Sequence, residues 1–250
     1  MEVITSRANP LCAHFKKLAA SRTYREETGE FLCDSPKLLG EALQWGAAVK
    51  SILFTDEKPP EGIPPQVRLV RVSESVMKAV SPVETPQGVV FSCALPGDVM
   101  PKTLETGRCL VLDAVQDPGN VGTILRTADA FDCDVFLLPG CADLYSPKTV
   151  RAAMGVHFRR SLRRCALDEL TALLERSDVP LYATALREDT VDVRETDLSR
   201  CAVVIGSEGR GVSAQVLDKC EKTLKIPMTE RCESLNAAVA AGVILWEMWR

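Results

Sequence analysis

Short runs dense in branched apolar residues alternate along this chain with stretches whose apolar positions return at three-and-four spacing, the two periods that mark strands and helices. Asn9 and Pro10 open a helix reaching Ala20, and Ser35-Pro36 opens a second reaching Trp45. VKSILFT (Val49 to Thr55) and VRLVRV (Val67 to Val72) read as strands, with the turn-rich KPPEGIPP between them. A helix from Ser73 to Val80 and the strand GVVFSCAL complete this part. The stretch from Pro96 to Gly107 holds two prolines, two glycines and few apolar residues, so 99–107 is read as a linker between a unit at 1–98 and a unit at 108–250.

The second unit alternates strictly. CLVLDAV is followed by a helix from about Asn120 to Phe131, in which Ile124, Leu125, Ala128 and Phe131 share a face. Then come DVFLLPG, helices near Pro147 to Met154 and Asp168 to Arg176, the strands LYATAL and CAVVIG, a helix near Ser213 to Cys220, the strand TLKIPM, and a helix from about Leu235 to Trp249. Such alternation predicts an α/β fold with a mostly parallel sheet covered by helices. In such sheets ligands collect in the loops beyond the carboxyl ends of the strands.

Composition narrows the classes. With 250 residues, 46% hydrophobic and 26% charged, the chain can bury a sizeable core, which excludes wholesale disorder. No apolar run approaches the roughly 18 residues a membrane span needs, and the N-terminus lacks a basic-then-apolar leader layout, so a cytoplasmic location is expected. The ten cysteines never come closer than eight positions, which supports neither a disulfide framework nor paired zinc ligands. His14 and His157 are the only histidines, so no metal site is expected. A net charge of −4 argues against indiscriminate nucleic-acid binding, yet the chain carries two basic stripes. One runs over Arg7, Lys16, Lys17, Arg22 and Arg25; the other holds Lys148, Arg151, Arg159, Arg160, Arg163 and Arg164 without an acid. Each is either a solvated helix face or a place to grip phosphates.

Three strand-end loops carry the candidate chemistry. In DPGNVGTILR, Gly119 and Gly122 let backbone approach a ligand, Asn120 is placed to cap the helix, and Arg126 follows about one and a half turns on. IGSEGRG sets Gly206, Gly209 and Gly211 directly after an apolar strand; Glu208 excludes a GxGxxG fingerprint, Val212 excludes a P-loop, and no GxSxG elbow is present. In IPMTERCESLNAAVAAGVILWEMW, Ser234 and Asn236 precede a helix of small apolar residues, whose alanines and Gly242 admit a closely packed neighbour. Taken singly, each loop is also what a plain helix start or tight turn requires.

Together and in this order, the three loops resemble the signature motifs of the SpoU/TrmH family of RNA ribose 2'-O-methyltransferases, part of the SPOUT superfamily. The resemblance spans residues 108 to 250. ITSRANPLCAHFKKL followed by GEFLCDSPKLLGEAL is similar, more loosely, to the opening of the family's substrate-binding domain, with Asp34-Ser35 in place of the usual Glu-Gly. The resemblance implies a C-terminal α/β trefoil-knot (SPOUT) methyltransferase domain with a smaller N-terminal α/β RNA substrate-binding domain. It further implies S-adenosylmethionine held by backbone around Ile205, Gly206, Ile226, Met228 and Leu235, and a homodimer with the site at the subunit interface. By matching position, Asn120, Arg126, Glu208, Ser234 and Asn236 would be the polar residues of catalysis. Glu230 and Arg231 stand where small residues are common, a departure that bears on the cofactor loop.

The implied reaction, in-line methyl transfer from a sulfonium to a 2'-hydroxyl, needs alignment and no metal. The family commonly assigns the base to the position of Arg126, yet a guanidinium with a pKa above about 12 hardly releases its proton. Arg126 is therefore read as binding the adjacent phosphate and stabilising alkoxide charge, with Glu208 and Asn120 orienting it. RNA backbone contacts are expected from Arg7, Lys16, Lys148, Arg151, Arg159 and Arg160. The expected activity belongs to ribosomal RNA processing. Transfer RNA as substrate, a non-catalytic RNA-binding protein of the same fold, and a nicotinamide-dependent dehydrogenase built on IGSEGRG are the alternatives.

Overall fold

The computed structural model describes residues 2–97, 99–187, 190–229, 231 and 234–250. Along the chain these form β1 (Glu2–Ile4), α1 (Pro10–Ala20), α2 (Arg22–Thr28), β2 (Glu30–Asp34), α3 (Pro36–Gln44), β3 (Val49–Phe54), β4 (Arg68–Val72), α4 (Glu74–Val80) and β5 (Val89–Ala94). There follow β6 (Cys109–Asp113), α5 (Pro118–Ala130), β7 (Asp134–Leu137), α6 (Pro147–Ala153), α7 (Val156–Arg159), β8 (Arg163–Arg164) and α8 (Leu167–Ser177). The chain closes with β9 (Leu181–Thr184), β10 (Val191–Asp192), β11 (Ala202–Gly206), α9 (Ala214–Leu217), β12 (Lys222–Lys225) and α10 (Ala237–Trp249). The patterned strands and helices of the sequence reappear within a few residues. β1, β8 and β10, of two or three residues, are too short to show a period and were not read from it; β2 and the helices α2 and α7, of four to seven residues, were not read either.

One compact unit comprises Met1–Gly97 together with Asp143–Arg159, the other Asp98–Ala142 with Arg160–Arg250. The expected second unit thus gives up its segment 143–159 to the first, and side-chain chemistry explains why. Asp143 accepts from the buried Arg25 guanidinium, Arg151 makes a bidentate pair with Asp34 (3.3 and 3.1 Å), and Arg159 meets Glu41 at 3.0 Å. Tyr145, His157 and Phe158 gather round Phe31 with ring centroids 5.1 to 6.3 Å apart. In the sequence this segment reads as one more helix in a regular alternation. Its partners lie more than a hundred positions away, beyond the reach of any periodicity.

Within the first unit the sheet order is β1-β4-β3-β5-β2, parallel from β1 to β3 and antiparallel at β5 and β2. Asn9 caps α1 by accepting from the Leu11 amide at 2.9 Å, with Pro10 in the first turn, which is why the helix starts there. Phe15 and Leu18 of that helix are fully buried against Leu32, Leu53, Val70, Met77 and Val90.

In the second unit all seven strands are parallel, in the order β10-β12-β9-β11-β6-β7-β8. The chain runs outward from β6 through β7 to β8, then crosses to β9 and later returns to slot β11 beside β6. The order therefore reverses at the β6/β11 pair, the place where an open parallel sheet leaves a crevice at its carboxyl edge. Cys109, Val111, Phe136, Leu170, Leu173 and Val204 fill the core. Burial pushes the Cys201 and Cys220 thiols up to about 12 and Cys133 higher still, so these cysteines pack as small apolar residues and stay protonated at neutral pH.

Candidate active site

Loop 114–117 after β6 begins with Ala114 in a left-handed conformation (φ 55°), which turns the chain sharply off the strand end. Asp117, not Asn120, caps α5: its carboxylate accepts from the Asn120 amide at 2.8 Å, and Pro118 occupies the first turn. The expected capping role of Asn120 is thereby corrected. With Asp117 performing that task, the Asn120 side chain is available for other bonds.

Loop 207–213 after β11 folds back on its own strand. Ser207 and Gly211 exchange two backbone hydrogen bonds (3.1 and 2.9 Å), and the Arg210 amide donates to Ser207 Oγ at 3.2 Å. A Cβ on Gly206 would collide with the Gly211 carbonyl and the Val212 amide, so only glycine permits this fold-back. At the base of the loop the Ser213 amide donates to Asp113 Oδ2 at 2.7 Å. At its tip Glu208 Oε1 accepts from Asn120 Nδ2 at 2.6 Å.

The third segment joins at Asn236. Its Oδ1 caps α10, accepting from the amides of Ala238 (2.9 Å) and Val239 (3.3 Å), while its Nδ2 donates to Asn120 Oδ1 at 3.1 Å. Cap and site ligand are thus one side chain using opposite ends. Glu208, Asn120 and Asn236, from three segments separated by 88 and 116 positions, form one hydrogen-bonded row.

Beside this row lies a cleft of about 280 Å³ at the carboxyl ends of β9, β11 and β12. Ile205, Gly206, Ile226, Met228 and Leu235 all line it, as do Glu208 and Ser234. Leu224, Ala237 and Ala240 extend its apolar wall. Sequence reasoning missed Thr184 at the end of β9, Leu186 just beyond it, and Lys225 at the end of β12. LYATAL and TLKIPM were legible as strands, but no signal said that their ends face the same crevice. Glu230 lies outside the described residues; Arg231 is exposed.

Arg126 is not brought to the cleft of its own chain. Six residues beyond Asn120, it sits about 240° further round the helix, and its side chain is exposed. Arg7 and Lys16 are exposed as well. Arg151 and Arg159 are held by Asp34 and Glu41, and Arg160 bridges Asp129 (2.7 Å) and Asp132 (2.6 Å). Lys148 is exposed and has an interaction partner of its own. Much of the second basic stripe is therefore neutralised within the chain. Among the described residues no cluster of histidine, cysteine or carboxylate is arranged to hold a metal, and no helix is long and apolar enough to cross a membrane.

A parallel sheet with a cleft at the carboxyl ends of β9, β11 and β12 gives the architecture, and comparison with known families gives the class: the chain belongs to the SpoU rRNA Methylase family, whose model matches residues 107–246. Residues 9–90 match the MRM3-like substrate binding domain. Among individual relatives, the 23S rRNA (guanosine(2553)-2'-O)-methyltransferase RlmP of Bacillus subtilis (strain 168) is 35% identical over 250 residues, covering 99% of each chain. The mitochondrial rRNA methyltransferase 3 of Homo sapiens is 31% identical and covers 92% of this chain and 70% of its own. An AdoMet-bound rRNA methyltransferase from Sinorhizobium meliloti superposes with a TM-score of 0.86 at 29% identity, covering 99% of this chain and 97% of that one.

Proposed function

We propose that this protein transfers a methyl group from S-adenosylmethionine to the ribose 2'-hydroxyl of a nucleotide in ribosomal RNA. The observation that carries the reading is the Glu208–Asn120–Asn236 row beside a glycine-floored cleft, in a chain of the SpoU family. The residues present fit the cofactor. Leu224, Ile226, Met228, Leu235 and Ala240 offer an apolar wall to an adenine ring, strand-end backbone groups offer hydrogen bonds, and the Glu208 carboxylate offers negative charge to a cation. S-adenosylmethionine supplies an electrophilic methyl on a positively charged sulfur.

The chain's own residues align and polarise. Asn120, gripped at both ends of its amide by Glu208 and Asn236, has a single orientation, so the polar rim is organised before RNA arrives. Ser234, on the cleft lining, positions the ribose. Arg126 binds the neighbouring phosphate and stabilises alkoxide charge as the hydroxyl attacks; as a permanently charged group it is not a base.

Because Arg126 is exposed and does not line the cleft of its own chain, it serves the cleft of a second copy, and the active form is a homodimer. Support comes from α5 and α10, which pack together and leave an apolar face outward. Val239, Trp246 and Trp249 are each about half exposed, and both tryptophans lie within 6.1 Å of the Phe131 ring. A patch of this kind on a helix pair is an association surface. The threading of the C-terminal segment into a knot and a cytoplasmic location belong to the same reading. Arg7 and Lys16 supply phosphate contacts in the substrate-binding unit.

The test is to map 2'-O-methyl groups in total RNA from cells with and without the protein. A methylated ribose cannot assist cleavage of its own phosphodiester, so alkaline hydrolysis reports each position. Loss at one ribosomal nucleotide supports the reading; loss confined to transfer RNA redirects it; an unchanged map with a purified protein that fails to bind S-adenosylmethionine overturns it.

A further inference from the structure

Asp113 is buried, 6% exposed, at the carboxyl end of β6, and nothing assigned above to substrate or cofactor involves it. In the sheet it stands directly beside Gly206, the last residue of β11. Its Oδ2 accepts from the Ser213 backbone amide at 2.7 Å, closing the base of loop 207–213. Seven positions on, Asn120 reaches the tip of the same loop through Glu208. The stretch from Asp113 to Asn120 therefore holds the second motif loop at two points, one buried and one at the rim.

We infer that Asp113 is a positioning residue for methyl transfer, setting the height of the glycine loop so that Glu208 meets Asn120 and the cleft keeps its shape. This rests on the S-adenosylmethionine reading of the cleft. The physical argument is that loop 207–213 has few anchors. Its internal bonds join Ser207 to Gly211 and Ser207 to Arg210, and they shape the turn without fixing its tilt over the sheet. Gly206, Gly209 and Gly211 make the backbone permissive, and Gly206 adds close contact but no directional bond. Val212, buried, pins one side by packing. The directional restraint from the sheet is the carboxylate of Asp113. A charge-assisted hydrogen bond in a buried setting is short and strong, and removing its acceptor leaves the Ser213 amide unsatisfied. Ser207, Glu208, Gly209 and Gly211 all line the cleft, so a tilt of the loop changes cofactor binding first.

The experiment compares Asp113→Ala, Asp113→Asn and Ser213→Pro with the wild type, by titration calorimetry with S-adenosylmethionine and by steady-state methylation of an RNA substrate. Ser213 has φ −66°, a value proline adopts, so Ser213→Pro deletes the donor; because its ring Cδ then stands where the amide hydrogen met Asp113 Oδ2, retained wild-type affinity is the decisive outcome for this variant. The expected result is that Asp113→Ala and Ser213→Pro each weaken cofactor binding about tenfold or more and lower kcat, with KM for RNA within about twofold. Asp113→Asn, whose amide oxygen still accepts, returns both values to within about threefold. Wild-type cofactor affinity in Ser213→Pro, or Asp113→Asn as impaired as Asp113→Ala, overturns the inference. Should Asp113→Ala fail to fold, Asp113→Asn and Ser213→Pro still decide it. A wild-type protein that binds no S-adenosylmethionine would instead overturn the cofactor reading, and this inference with it.

Discussion

Asn120 Nδ2 donates to Glu208 Oε1 across 2.6 Å, joining the first turn of α5 to the loop after β11. Because the Asn120 oxygen also accepts from Asn236, neither end of the amide is free to turn. Two groups that act through one bond do not contribute additively. Glu208→Ala and Asn120→Ala should each lower kcat about tenfold or more, and the double variant should be little worse than the poorer single one. Single-turnover methylation of a defined RNA checks this; full additivity in the double variant would show that the two side chains work independently.

Arg126 lies on the exposed face of α5, while the cleft-lining residues come from other segments. If it completes the cleft of a second copy, then Arg126→Ala and Glu208→Ala, each weak alone, should recover partial activity when mixed and allowed to exchange subunits. Arg126→Lys should remain impaired, since an ammonium lacks the fork that grips a phosphate. Replacing both Trp246 and Trp249 with Glu should yield monomers by light scattering and abolish the recovery. Full activity in those monomers would sink the shared-site arrangement.

His157 is fully buried beside Phe31 and Tyr145, donates through Nε2 to the Leu144 carbonyl at 2.7 Å, and leaves Nδ1 without a partner. Burial pulls it down to about 4 from an ordinary 6.5. Between those values the unfolded chain binds the proton and the folded one does not, so stability rises with pH across the window and is lost as the solution is acidified from 6.5 towards 4. The loss attributable to this group approaches about 3 kcal/mol. Chemical denaturation at pH 7 and pH 4.5 should show it, and His157→Phe should remove most of the difference that remains after other groups are accounted for.

Arg25 is 4% exposed and directs its two terminal nitrogens at the Leu18 carbonyl and the Asp143 carboxylate, with Nε buried and unpartnered. Asp143 begins the segment that joins the first unit and also accepts from the Tyr145 amide at 3.1 Å. Asp143→Ala strands a buried charge and should destabilise the protein by about 3 to 5 kcal/mol. Arg25→Met combined with Asp143→Leu removes both charges and should be milder than Asp143→Ala alone. Urea unfolding of the three proteins distinguishes the cases; equal losses would mean that packing, not charge, secures the segment.

Legibility in the sequence followed the reach of each interaction. The parallel alternation of the second unit and the loops carrying Asn120, Glu208 and Asn236 were visible because each depends on neighbours a few positions away, whereas the five residues Ile205, Gly206, Ile226, Met228 and Leu235 were named only through the family resemblance. Helix caps were half visible: DPGN announces a helix start, but whether Asp117 or Asn120 caps it depends on which side chain the folded loop turns inward.

What sequence by itself determined, then, was a set of local commitments: where strands end, where glycines permit close backbone, and which polar residues lie in those turns. Tertiary structure alone decided the rest. It bonded Asp113 to the base of the glycine loop, handed residues 143–159 to the first unit, spent Arg151, Arg159 and Arg160 on carboxylates, and left Arg126 exposed. The reason is that a hydrogen bond or ion pair between groups 28 to 118 positions apart has no periodicity to announce it. Its formation depends on how the strands are ordered in the sheet and the helices packed against it, and that order is a property of the whole chain.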